Sequence, residues 1–110
     1  MDWKIISDSH HIEELSLVSK DHPVVIFKHS TRCSISDMIK NRLERSGTPQ
    51  GVNFYFLDLI RYRDLSNRIG EKFSVHHESP QVLLIRNGEC IYDESHNGIN
   101  MEELAELSAN

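Results

Sequence analysis

The sequence predicts an α/β fold: a mixed central sheet of four to five strands flanked by helices. Two apolar stretches, at 24–28 and 53–58, are each followed by a segment with helical apolar spacing, the pattern of parallel strands joined by helical crossovers. Near the C-terminus, two strand-like runs flank Asn87-Gly88 and read as an antiparallel hairpin. A first strand and helix precede these units and a last helix follows. The order β-α-β-α-β-α-β-β-α implies a mixed sheet with helices on both faces.

Each element has its own signal. Trp3-Lys4-Ile5-Ile6 suits a short edge strand. Ser7, Asp8 and Ser9 are all helix-capping residues, and Ile12, Leu15 and Val18 give the inner face of a helix ending near Lys20. Asp21-His22-Pro23 is a turn into the buried strand Val24–Lys28. A second helix spans Ser34 to Arg45, with Ile35, Met38, Ile39 and Leu43 as its apolar positions, basic residues in its last turn and Gly47 as its stop. The loop from Ser46 to Val52 leads into the strand Asn53–Asp58, whose aromatics suit a sheet. A third helix runs from Arg61 to Lys72, marked by Leu65 and Ile69 and followed by Phe73. The hairpin strands are Gln81–Arg86 and Glu89–Asp93, because Asn-Gly accepts the positive φ angles of a type I′ turn. In the last helix Asn100 is the cap, Glu103 its capping-box partner, and Met101, Leu104 and Leu107 the inner stripe.

With 110 residues and no linker or repeat, the chain reads as one domain, 1–110. A net charge of −5 with no basic cluster among aromatics argues against nucleic acid as a partner. The apolar runs are too short for a membrane span, and the N-terminus does not begin like a signal peptide. Two widely separated cysteines do not form a secreted disulfide framework, so the expected location is the cytoplasm, with reduced thiols.

The chemistry-bearing stretch is His29-Ser30-Thr31-Arg32-Cys33-Ser34-Ile35-Ser36, between a strand and a helix. Cys33 falls at the helix start, where unpaired N–H groups and the positive end of the helix dipole favour a thiolate, with Arg32 adding a positive charge beside it. Ser36 stands three residues later, where a dithiol protein carries its second cysteine, and serine forms no disulfide. Cys33 is therefore expected to hold one half of an attacked disulfide until an external thiol arrives.

Over nearly its whole length the chain resembles the thioredoxin superfamily, in which the proline at the position of Pro80 is cis and packs against the active cysteine. Three stretches are similar to the monothiol bacilliredoxin family: Lys28 to Ser36, His77-Glu78-Ser79-Pro80-Gln81, and Ser95-His96. The family signature is Thr-Cys-Pro-Ile-Ser; here Arg32 replaces the threonine and Ser34 the proline, while Cys33 and Ser36 stay in place. The resemblance implies a thioredoxin-like thiol–disulfide oxidoreductase with Cys33 as the catalytic nucleophile. Thr31, Arg32, Ser34 and Ser36 form its active-site loop, and His77, Ser79 and Pro80 line its substrate groove. It also implies no bound cofactor or metal, an external low-molecular-weight thiol (bacillithiol) as co-substrate, and S-thiolated cytosolic proteins as partners. The sequence itself does not distinguish bacillithiol from glutathione or coenzyme A.

Other readings compete. A thioredoxin-fold binding or adaptor module without turnover would use the same proline groove. An iron–sulfur carrier of the monothiol glutaredoxin type is disfavoured, because that family carries Cys-Gly-Phe-Ser where this chain has Cys33-Ser34-Ile35-Ser36. The adjacent pairs His10-His11 and His76-His77 lack zinc-site separations and read as solvated or turn residues. His77 is set apart because it precedes the proline loop expected to face Cys33. Cys90 reads as a core thiol in mid-strand, and whether it can reach Cys33 is left open by the sequence.

Overall fold

The computed structural model describes residues 1–109. Its elements are β1 (Lys4–Ile5), α1 (Ser9–Val18), β2 (Val24–His29), α2 (Ser34–Arg45), β3 (Asn53–Asp58), α3 (Arg63–Phe73), β4 (Gln81–Arg86), β5 (Glu89–Ser95) and α4 (Met101–Ser108), with a 3-10 turn at His96–Gly98. The strands form one sheet in the order β1-β3-β2-β4-β5. The β1–β3 and β3–β2 pairs are parallel, and the β2–β4 and β4–β5 pairs antiparallel. This is the mixed sheet expected of two crossovers followed by a hairpin.

β2 lies at the centre, and all six of its residues are buried. Alternate side chains of a strand point to opposite faces, so a strand covered on both sides loses the polar alternation of a surface strand. Val24 and Ile26 pack with Ile12 and Leu15 of α1 and Ile69 and Phe73 of α3. Val25 and Phe27 pack on the other face with Ile39 and Leu43 of α2 and Met101 and Leu104 of α4.

Local chemistry sets the element ends. Asp8 caps α1 by accepting from the His10 N–H at 2.8 Å. Asn100 caps α4 by accepting from the Glu103 N–H at 2.8 Å, while its amide donates to the Glu103 carboxylate at 3.4 Å. Asn87 and Gly88 take φ values of 53° and 77°, as a type I′ turn requires.

Several expectations are corrected. β1 keeps only two of its four anticipated residues, and α3 starts two residues later, at Arg63. α2 keeps its expected bounds, Ser34–Arg45, but Gly47 does not supply its stop. Ser46 ends it in an extended conformation, its N–H donating to the Leu43 carbonyl and its hydroxyl to the Arg42 carbonyl. The buried face of α2 is Ser36, Ile39 and Leu43, whereas Ile35 and Met38 are 42% and 46% exposed. Cys90 is not mid-strand: it is the second residue of β5, beside a bulge that leaves Ile91 unpaired between Cys90 and Tyr92.

Candidate active site

Cys33 is the N-cap of α2, with extended backbone geometry and no capping hydrogen bond from its side chain. Its thiol is free and partly exposed. The turn that carries it is short: the Cys33 N–H donates to the Ser30 carbonyl at 3.2 Å, and the Cys33 carbonyl accepts the Asp37 N–H at 3.1 Å as α2 begins. Thr31, Arg32 and Ser34 are exposed around it.

Ser36 is turned inward. Its side chain is fully buried, and Oγ lies 3.0 Å from the Ser30 N–H donor and 2.7 Å from His29 Nδ1. His29, 3% exposed, places Nε2 at 3.3 Å from Asp37 Oδ1 on the surface of α2. Burial holds the imidazole below its ordinary pKa, with Lys40 acting in the same sense, against the attraction of Asp37, Asp58 and Glu44.

The second wall comes from the start of β4. Ser79–Pro80 is a cis peptide, as the resemblance anticipated. β2 pairs with β4 from Val24↔Ile85 to Lys28↔Gln81, and this register continued by one residue sets Pro80 beside His29, at the sheet edge where α2 begins. Pro80 is buried, and its carbonyl accepts the His96 N–H at 3.0 Å. Gln81 braces the preceding loop: its amide donates to the His76 carbonyl at 2.9 Å and its Oε1 accepts the Glu78 N–H at 3.4 Å. His96 Nε2 also lies 3.9 Å from the Glu78 carboxylate, so Ser95-His96 belongs to the bracing of the proline loop.

His77 points elsewhere. Its Nδ1 is 3.4 Å from Ser66 Oγ on α3, the helix that covers the sheet face opposite α2. The fully buried Lys28 reaches the same place, its Nζ donating to the Ser66 carbonyl at 3.3 Å. Burial pulls the Lys28 amine down to about 8.

Cys90 is remote from Cys33. It pairs with Ile85, which pairs with Val24 at the opposite end of β2 from the active-site turn. Five residues of strand at about 3.3 Å each separate Val24 from His29, roughly 16 Å, whereas a disulfide needs Cα atoms within about 7 Å. The Cys90 thiol packs against the α1–α3 side of the core and donates to the Tyr92 carbonyl at 3.3 Å, and burial pushes its pKa up.

The family model of monothiol bacilliredoxin BrxC matches residues 4–104. This chain belongs to the monothiol bacilliredoxin family. A solved thioredoxin-fold protein assigned as an oxidoreductase is 31% identical, with a TM-score of 0.76 over 93% of this chain and 89% of that one. Thioredoxin from Malassezia sympodialis is 22% identical, with a TM-score of 0.76 over 98% of this chain and 89% of its own. The short form of spinach chloroplast thioredoxin f is 12% identical, with a TM-score of 0.75 over 97% and 93%. At such identities these two thioredoxins establish the fold alone. Family membership gives this chain a thioredoxin-like redox function, and no helix among its described residues is long and apolar enough to cross a membrane.

Two buried residues of this family member, Lys28 and His29, carried no functional assignment in the sequence. The available signal was their continuation of an apolar central strand, since residues that extend such a strand inherit its burial. Asp37 was equally unmarked. It emerges only because His29 faces the second residue after Ile35 on the folded helix.

Proposed function

We propose that the protein is a monothiol thiol–disulfide oxidoreductase that lifts a low-molecular-weight thiol from S-thiolated cytosolic proteins onto Cys33. The observation that carries this reading is the placement of the two cysteines. One thiol is partly exposed at the N-terminus of α2, and the other lies at the far end of the sheet. The Cys33 thiolate attacks the mixed disulfide on the sulfur of the small thiol. A new S–S bond forms to Cys33, and the target protein leaves as a thiolate with the bonding electron pair. A second small-thiol molecule, as its thiolate, then attacks this adduct, releasing the symmetrical small-molecule disulfide and restoring the Cys33 thiolate. Thr31, Arg32 and Ser34 present the nucleophile, while Ser79 and Pro80 form the opposite wall. The family to which the chain belongs points to bacillithiol as the small thiol.

The test is an intact-mass measurement. Reduced protein is mixed with model proteins carrying bacillithiol, glutathione or coenzyme A in mixed disulfide. The expected result is one bacillithiol adduct on Cys33, formed faster than the other two and absent in Cys33→Ser. Adduct formation at equal rates from all three would remove bacillithiol from the proposal. Absence of any adduct would favour the adaptor reading, in which the proline groove binds without turnover.

A further inference from the structure

The serine that leaves this protein without a second active-site thiol also has a place in a hydrogen-bond chain. An hydroxyl has one hydrogen to give and lone pairs to receive. Ser36 Oγ receives the Ser30 N–H at 3.0 Å and lies 2.7 Å from His29 Nδ1. A carboxylate only accepts, so the Asp37 Oδ1 at 3.3 Å favours a proton on His29 Nε2, and in the neutral ring this leaves Nδ1 bare to accept the Ser36 hydrogen. The contacts Ser30–Ser36–His29–Asp37 thus start on one side of the Cys33 turn and return on the other, passing through the buried side chains of Ser36 and His29 to the exposed Asp37.

We propose that Ser36 and His29 are positioning residues for Cys33, with Ser36 as the two-way connector that fastens the nucleophile's turn to the end of β2. A thiol in that place is a weak donor and a weak acceptor and would hold the connection poorly. The occupant of position 36 therefore sets a choice between a resolving thiol and a firmly held turn. This inference rests on Cys33 being the reactive thiol.

Side-chain geometry supplies the test. In His29→Asn, the amide oxygen can take the place of Nδ1 and accept from Ser36. In His29→Gln, the amide reaches only the place of Nε2 and leaves Ser36 without its acceptor. Both variants lose the ring contacts with Phe27 and Phe56, so the difference between them isolates the Ser36 bond. The readouts are the iodoacetamide rate at Cys33, measured in a Cys90→Ser background, and the rate of small-thiol transfer, both well below the melting temperature. Ser36→Ala and His29→Gln should slow both by about tenfold, the scale of one buried hydrogen bond, while His29→Asn stays within about threefold of the parent. Equal rates in His29→Asn and His29→Gln, or an unchanged rate in Ser36→Ala, would overturn the proposal.

A second measurement needs no variant. The ¹⁵N shifts of His29 in the native protein near pH 7 should report the neutral Nε2–H tautomer, and an Nδ1–H tautomer or a charged ring would also overturn it. The two readings fail separately. Native protein that alkylates normally but accepts no small thiol defeats the proposed function. Native protein that accepts the thiol while Ser36→Ala and His29→Gln alkylate at the parental rate defeats the positioning role.

Discussion

The Lys28 ammonium nitrogen lies 3.3 Å from the Ser66 carbonyl oxygen, fully buried between β2 and α3, with no carboxylate within ion-pair distance among the described residues. A charge held on one carbonyl acceptor is poorly compensated, and the amine pKa falls from 10.5 to about 8. At neutral pH this costs the fold on the order of 3 kcal/mol, at about 1.4 kcal/mol per pH unit.

Replacing that charge should therefore stabilise the protein. Between pH 8 and 10.5 the unfolded chain holds the Lys28 proton and the folded chain has lost it, so this residue makes stability rise with pH. Cys90, Tyr55 and Tyr92 are pushed up by burial and act in the opposite sense at alkaline pH. The readout is accordingly the difference between native protein and Lys28→Met in urea unfolding. The variant should lead by about 1–3 kcal/mol at pH 7.5, with the gap narrowing by pH 10. A variant less stable at pH 7.5 would show that the ammonium is better solvated than its surroundings indicate.

Acid acts through two imidazoles. Burial lowers the pKa of both His29 and His77, so the folded protein keeps them neutral while the unfolded chain takes up protons from about pH 6.5 downward. Stability should fall as pH drops below about 6.5, and His29→Asn should remove part of that slope. A melting temperature that is flat from pH 7.5 to 5.5 in native protein would contradict these environments.

The bracing of the proline loop predicts a separable defect. Gln81→Ala removes the bond to the His76 carbonyl and the acceptor for the Glu78 N–H while touching nothing on α2. Small-thiol transfer from a protein substrate should slow several-fold, the size of one or two net hydrogen bonds, with the iodoacetamide rate of Cys33 unchanged. Loss of both rates together would mean that this loop also holds the nucleophile's turn.

How far the sequence could be read follows from which forces leave a periodic trace. The β2–α2 junction was legible because an apolar run gives way to helical spacing at Cys33, and the β4–β5 hairpin because Asn87-Gly88 admits one turn geometry. The orientation of α2 was only half legible. Ile35 and Met38 share the apolar rhythm, yet Ser36 takes the buried face because its hydroxyl finds two partners there. Apolar spacing counts hydrophobic residues and cannot register a polar one whose burial is compensated. The contacts of Lys28 with Ser66 and of His29 with Ser36 and Asp37 left no periodic trace for the same reason. The end of α2 at Arg45 was legible, but its stop was assigned to Gly47, whereas Ser46 satisfies the last turn with its own N–H and hydroxyl.

The central claim is that Cys33 forms an adduct that nothing inside the protein resolves. Its most direct test is the lifetime of a Cys33–bacillithiol adduct, freed of excess reagent and followed by intact mass, in native protein and in Cys90→Ser. The adduct should persist equally in both until free small thiol is added, and then decay at a rate set by the thiol concentration. Unaided decay in native protein to an internal Cys33–Cys90 disulfide, abolished by Cys90→Ser, would contradict the monothiol mechanism.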